Sequence, residues 1–397
     1  MPLHLRVSPS SASIPHLFTS FTAPYSVYIL PAILLKTEES WLRSSQNTSK
    51  TMDKSSHWDV ALWETHETED DCTLVVRTDN GRAFYCQISP SRFHQSPTFK
   101  DQYFRCLNLL RSGEEEDDFY MEDACDWLSK PFEPLIARLA PCTQKRPADE
   151  LPTLAEYLFP PHFVCSLSAT DEKLETFEID SKNLDWGSPT IFVKQDFLDD
   201  LDRWTPSYHP NEVAICYDNP RDILIKPLKR VLISAKDGSR VECFFKRFET
   251  SFGQKHAKAG LDTHKRIAQA HLPPPPKTFI CQLHGVVRDG NKLAGMLFTW
   301  INNKGVLSKA RADQSTVQLK ARWATQIKDT LEMLHHRNII WGDAKTENIL
   351  IDMDDNAWIA DFGGSYTVGW VEKDKAGTLE GDAQGLARIL DIFSKCT

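Results

Sequence analysis

The alternation of apolar and polar positions divides the chain into two stretches with different rhythms. In the first, Thr73–Arg77 and Ala83–Gln87 are apolar-rich runs on either side of Asp79-Asn80-Gly81. Asn-Gly between two such runs predicts a β-hairpin, because the tight turn needs residues that accept positive φ. Phe99–Leu110 predicts a helix. Met121–Leu139 predicts a second one, kinked at Pro131, where the ring removes a backbone donor. The acidic run Glu114–Asp118 between them reads as a solvated loop. Residues 53–141 therefore form a small α+β N-terminal region with no recognisable chemical motif. Residues 142–158 are polar and proline-containing, and 159–208 mixes short apolar runs with turns. The span 142–210 accordingly reads as a linker and irregular segment.

From residue 211 the rhythm changes. Val213–Tyr217 and Ile223–Ile225 are short strand candidates. Arg230–Ala235 and Arg240–Phe245 flank Lys236-Asp237-Gly238-Ser239, which predicts a second hairpin. A helix is expected over Phe252–Ala270, ended by the run Pro273–Pro276. Phe279–Val287 and Lys292–Trp300 flank Arg288-Asp289-Gly290-Asn291 and predict a third hairpin. Leu319, Trp323, Ile327, Leu331 and Leu334 recur at helical spacing, so Thr316–His336 is a long helix with one buried face.

Composition narrows the class without naming it. The chain has 397 residues, 41% hydrophobic and 25% charged, which fits a globular protein of two or three domains. A formal charge of −9 argues against a nucleic-acid partner, which needs a basic face. The 10 cysteines include no C-x-x-C pair and no zinc-ligand spacing, so they read as buried thiols in a reducing, intracellular compartment, cytoplasmic or nuclear. Residues 1–52 read as a disordered leader, with Met52 as an alternative start. Residues 1–37 lack Asp and Glu, so organelle targeting is the weaker alternative. The apolar stretch Tyr25–Leu35 is too short for a membrane span, and no membrane partner is expected.

The chemistry is concentrated in Leu334–Gly364, LHHRNIIWGDAKTENILIDMDDNAWIADFGG. Asp343, Lys345 and Asn348 stand at i, i+2 and i+5. The apolar strand Ile349–Ile351 follows at once, and the strand Trp358–Ala360 runs into Asp361-Phe362-Gly363. In residue types, order and spacing this resembles the catalytic and metal-binding loops of protein kinases. The stretch Asp361–Leu386 is similar to a group of fungal protein-kinase-like proteins with an unrelated N-terminal region. The likeness extends over about residues 211–397.

That resemblance implies an α+β, two-lobed fold, with the N-lobe at about 211–301 and the C-lobe at about 302–397. It implies ATP and Mg²⁺ as cofactors. Asp343 would orient a substrate hydroxyl and take its proton, and Lys345 would neutralise the transferred phosphoryl. Asn348 and Asp361 would hold Mg²⁺ against the phosphates, as its preference for a few oxygen ligands requires. Lys246, in Val241-Glu242-Cys243-Phe244-Phe245-Lys246, fits the third-strand lysine on the α- and β-phosphates. Its helix partner would be Asp262, with Glu249 as the fallback. Thr299-Trp300-Ile301-Asn302 would lead into the adenine-binding hinge. Asp382 would cap the catalytic loop, and Trp341 would pack in the core.

The sequence also departs from the family pattern. No G-x-G-x-x-G precedes Lys246. The usual His-Arg-Asp is Trp341-Gly342-Asp343, so no catalytic-loop arginine awaits an activation-loop phosphate. Only 18 residues separate Gly363 from Asp382 and no Ala-Pro-Glu appears, so a reduced platform for a peptide substrate is expected. The chain stops at Thr397, one helix after the motif, so a truncated C-lobe is expected, either a minimal lobe of this lineage or a truncated gene model. Three readings stay open. The first is transfer of the ATP γ-phosphoryl to Ser or Thr hydroxyls of proteins. The second is transfer to a small-molecule hydroxyl, and the third a nucleotide-binding pseudokinase or scaffold. The joint presence of Lys246, Asp343, Lys345, Asn348 and Asp361 ranks catalysis above the scaffold.

Overall fold

The computed structural model describes residues 57–65, 68–113, 118–141, 147, 150–180, 189–217, 219, 222–235, 238–248, 253–363 and 367–394. The expected leader and most of the acidic run 114–118 lie outside these residues.

The first three strands form a meander: β1 (Trp58–Thr65), β2 (Cys72–Thr78) and β3 (Ala83–His94). The β2–β3 turn falls at the expected Asn-Gly, with Gly81 at φ +78. Helices α1 (Pro97–Ser112), α2 (Met121–Ser129) and α3 (Glu133–Leu139) follow. A 3₁₀ turn over Lys130–Phe132 separates the last two, where Pro131 predicts a break. The chain then enters α4 (Leu154–Leu158), β4 (His162–Thr170) and β5 (Lys173–Ile179).

These last elements correct the linker reading of 142–210. β4 runs parallel to β3, and β5 closes a sheet of order β1-β2-β3-β4-β5. Val164, Cys165, Leu167 and Ala169 of β4 are fully buried. The partner of β4 lies far back in sequence, across the helical crossover that parallel pairing requires, so no local hairpin signal announces it. Helices α1–α3 pack on this sheet around Phe84, Tyr103, Leu107, Leu128 and Ile136.

The second sheet also starts earlier than residue 211. It contains β6 (Ile191–Phe192), β7 (Ser207–Tyr208), β8 (Ala214–Ile215), β9 (Arg230–Ser234), β10 (Arg240–Arg247), β11 (Leu283–Asp289) and β12 (Lys292–Thr299). Its order is β7-β11-β12-β10-β9-β8, with β6 pairing β12. Helix α5 (Gln195–Leu201) precedes β7, and helix α6 (Gly253–Gln269) crosses from β10 to β11. Leu154 and Leu158 of α4 are buried against Val231, Phe245 and Leu297, so the preceding helix contributes to this lobe's core. Ile223–Ile225, a strand candidate on its apolar residues, is a turn with Leu224 and Ile225 buried.

After Trp300-Ile301-Asn302 the chain enters the second lobe: β13 (Asn303–Val306), α7 (Lys309–Asp313), α8 (Val317–His335), β14 (Ile349–Asp352), β15 (Ala357–Ile359) and α9 (Leu379–Ser394). The apolar face of α8, with Trp323, Ile327, Leu331 and Leu334, packs on Trp341, Ile349, Ile359 and Ile389. Together the two lobes form the α+β, two-lobed protein-kinase-like fold. Among the described residues no helix is long and apolar enough to cross a membrane.

Candidate active site

The site is assembled on one loop, one turn and one strand at the lobe boundary. The loop between α8 and β14 carries Asp343, Lys345 and Asn348. The turn after β15 carries Asp361. The extended β10 strand carries Lys246, in register with Met296 of β12.

Asp382, near the start of α9, fixes the first loop. It is 2% exposed. Its Oδ2 accepts from Trp341 N at 2.7 Å and its Oδ1 from Gly342 N at 2.8 Å. His335 Nε2 lies 2.9 Å from Oδ2. The expected capping aspartate is therefore in place. Trp341 is fully buried, and its Nε1 donates to Ala360 O at 2.8 Å. Its size is accommodated because it bridges the two loops and satisfies its own polar atom. Ala360 N donates back to Asn348 O at 2.9 Å. α9 approaches closely here, since a Cβ on Gly385 would stand 2.4 Å from Ala344 O.

Within the loop, Lys345 Nζ lies 2.6 Å from Asp343 Oδ2. Asn348 Nδ2 donates to Asp343 O at 2.9 Å and to Asp343 Oδ2 at 3.0 Å. Thr367 completes the group: its Oγ1 donates to Asp343 Oδ1 at 2.8 Å and accepts from Lys345 Nζ at 3.0 Å. The sequence reading missed Thr367. It stands in a short segment without periodicity, and only folding brings its hydroxyl to the loop.

On the other side, Lys246 Nζ donates to Asp361 Oδ1 in an ion pair. Burial would raise the Asp361 carboxyl, but the charge and hydrogen bond of Lys246, together with the charge of Lys345, outweigh it and hold the carboxyl below its usual range. Asp361 has φ +58, an uncommon conformation for a residue with a side chain. Gly363 has φ +74, and a Cβ there would meet the Gly260 backbone at 3.2 Å.

That contact corrects the expected partner of Lys246. No hydrogen bond or ion pair joins Asp262 to Lys246. The face of α6 turned to the Asp361-Phe362-Gly363 turn carries Gly260, Thr263 and His264. Asp262 stands two residues from Gly260 and two from His264, about 160° around the helix from each, so its side chain points elsewhere. Glu249, the fallback partner, lies outside the described residues. Asp361 supplies the counter-charge instead.

His264 is the second residue missed. It is 2% exposed, with its ring 5.0 Å from Phe298 and 5.9 Å from Phe362. Burial, reinforced by the Lys246 charge, pulls its pKa down to about 4, so it is neutral at pH 7. Helical spacing alone places it on a face with Gly260, but no local signal marks that face as the one against the turn.

The donor set suits a hard divalent cation. The described contacts of Asn348 engage its Nδ2, which leaves the amide oxygen as a ligand. Asp361 adds an ionised carboxylate. Among the described residues no group of three or more His, Cys, Asp or Glu side chains could hold a metal ion. Two protein oxygens suffice for Mg²⁺ when phosphate oxygens and water fill the remaining positions.

The lysine–carboxylate pairs Lys345–Asp343 and Lys246–Asp361 thus lie at the boundary of the two lobes. Comparison with known proteins makes the class specific. Residues 268–380 match the family model described as protein kinase domain. A 44-residue stretch is 48% identical to the serine/threonine-protein kinase PKH3 of Eremothecium gossypii, covering 11% of this chain and 6% of that protein. Over 128 residues the chain is 34% identical to the cAMP-dependent protein kinase catalytic subunit of Dictyostelium discoideum, covering 32% and 18%. Over 116 residues it is 33% identical to the serine/threonine-protein kinase PDK1 of Cryptococcus neoformans, covering 29% and 9%. The chain thus spans less than a fifth of the length of each of these relatives. It carries a protein-kinase-like domain.

Proposed function

We propose that this chain is an ATP- and Mg²⁺-dependent phosphotransferase that moves the γ-phosphoryl to a Ser or Thr hydroxyl of a protein. The observation that carries this reading is the Asp343–Thr367–Lys345–Asn348 network. It sets one carboxylate and one ammonium side by side, with a hydroxyl bonded to both.

Asp343 accepts the hydrogen bond of the incoming hydroxyl and orients its oxygen towards the γ-phosphorus. As the new O–P bond forms, the bond from phosphorus to the bridging oxygen of ADP breaks and ADP leaves. The hydroxyl proton passes to Asp343. Lys345, beside Asp343, offsets negative charge on the transferred group. Lys246 holds the α- and β-phosphates from the N-lobe side. Asn348 Oδ1 and the Asp361 carboxylate are the protein ligands for Mg²⁺, which neutralises phosphate charge when bound. Thr367 keeps Asp343 and Lys345 in one arrangement, so the side-chain ordering is complete before substrate arrives.

A pseudokinase that binds nucleotide without transferring phosphate is the second reading. It is favoured by the glycine-free connection before β9. Calorimetry with Mg-ATP and a transfer assay on Ser/Thr peptides and small-molecule alcohols separate the readings. The expected result is binding by the wild type and peptide phosphorylation that falls about 10²–10⁴-fold in Asp343→Asn. Asp361→Asn should lose Mg²⁺-dependent binding as well. Wild-type protein that binds no Mg-ATP would sink the enzyme reading. Binding with equal, negligible transfer by all three proteins would establish the pseudokinase.

A further inference from the structure

In protein kinases the connection between the first two strands of the lobe, ahead of the lysine-bearing third, covers the nucleotide phosphates with a glycine-rich loop. The corresponding connection here joins β8 to β9. Its described segment 222–229 contains no glycine. It turns at Asp222, whose carbonyl accepts from Ile225 N at 3.1 Å and Lys226 N at 2.9 Å. It then enters the sheet, where Lys229 O accepts from Phe245 N at 2.9 Å, one residue before Lys246.

The N-terminal domain holds this segment at several points. Arg77 on β2 donates from Nε to Leu224 O at 2.8 Å and from Nη2 to Tyr157 O at 2.6 Å. Its guanidinium carbon stands 4.0 Å from the centre of the Tyr157 ring. The Tyr157 hydroxyl in turn accepts from Leu228 N at 3.3 Å. Asp59 on β1 pairs with Lys226. The β2–β3 turn sits against Leu224, since a Cβ on Gly81 would lie 3.1 Å from its Cδ1. A planar guanidinium suits this role, because its fork can donate in two directions while its face stacks on an aromatic ring.

We propose that Arg77 is a positioning residue for the nucleotide site: through it the N-terminal domain fixes segment 222–229 and hence the register of the strand that carries Lys246. This inference rests on the nucleotide-binding reading above. The amides of Ile225, Lys226 and Leu228 are spent on protein acceptors, so the segment acts as a firm edge for β9 and β10. The N-terminal domain is then a working part of the nucleotide lobe. By linkage, nucleotide binding and the order of this interface strengthen each other.

The test uses the full chain, wild type against Arg77→Ala, Arg77→Lys and Asp59→Asn. Calorimetry reads Mg-ATP affinity, and hydrogen exchange reads the peptide spanning 222–234. Arg77→Ala should speed exchange in that peptide and weaken Mg-ATP binding about fivefold or more, the lower range of site-to-site couplings. Arg77→Lys should fall between, since one donor can still reach Leu224 O. Unchanged exchange in 222–234 overturns the inference, as does faster exchange with affinity within about twofold of wild type. If wild type binds no Mg-ATP, the nucleotide reading fails and the inference fails with it; the exchange result separates that outcome from a missing tie. Should Arg77→Ala not fold, Asp59→Asn carries the test by the same two readouts.

Discussion

Asp382→Ala is the most direct probe of how the catalytic loop is held. The substitution removes a buried carboxylate that accepts from Trp341 N, Gly342 N and the His335 ring. Hydrogen bonds to a charged group contribute about 1.5–3 kcal/mol each, and a buried donor left unpaired costs about 1–3 kcal/mol. These values overlap, because the three bonds share one acceptor, so the loss is on the order of 3–5 kcal/mol. That is a large fraction of a typical folding free energy of about 5–15 kcal/mol. The melting midpoint should fall on the order of 10 °C for a domain of this size. Asp382→Asn keeps one acceptor oxygen but turns an NH₂ towards a backbone N–H, so it should recover little. Urea unfolding followed by Trp fluorescence gives the free-energy loss, and a thermal melt gives the midpoint. A loss below about 1 kcal/mol in Asp382→Ala would refute the reasoning, because water or another group would then be serving the two amides.

The other predictions concern the same core. Thr367→Ala should lower turnover roughly tenfold to a hundredfold with little change in nucleotide affinity, and Thr367→Ser should restore most of it, as steady-state kinetics would show. Gly385→Ala should destabilise by about 1–3 kcal/mol, although alanine is the better helix former, because its Cβ would clash with Ala344; an unchanged or raised melting temperature would contradict the close approach of α9. His264 has a folded pKa of about 4 against about 6.5 for a free imidazole. The unfolded chain therefore binds the extra proton first, so the stability it contributes is complete above about pH 6.5 and lost as pH falls towards 4. The shift corresponds to about 3 kcal/mol. His264→Leu should flatten the stability profile in that window, measured by denaturation at several pH values.

Local patterns carried much of the site. Asp343, Lys345, Asn348 and Asp361 lie within one short stretch, and their spacing reports loop geometry directly. Lys246 could be proposed because it ends an apolar strand run. Its partner could not, because that depended on the rotation of α6 about its axis. Asp262 has the right charge at nearly the right distance in sequence, but helical phase turns it away, and Asp361 takes its place. The strands β4 and β5 were lost for a related reason. The pairing of β4 with β3 spans a helical crossover, and β5 joins β4 through Asp171-Glu172, a turn with neither Gly nor Asn to announce it.

The sequence by itself determined the elements whose cause is local. These are the three Gly-containing hairpins, the apolar face of α8, the break at Pro131 and the loop that groups Asp343 with Asn348. Only the tertiary structure decided which distant surfaces meet. It brought Thr367 onto Asp343, placed His264 behind Phe362, and seated Arg77 of the N-terminal sheet on the segment leading to Lys246. The reason is physical. Periodicity and turn chemistry act over a few residues, whereas a contact between remote segments depends on how whole elements pack, and no single residue records that in advance.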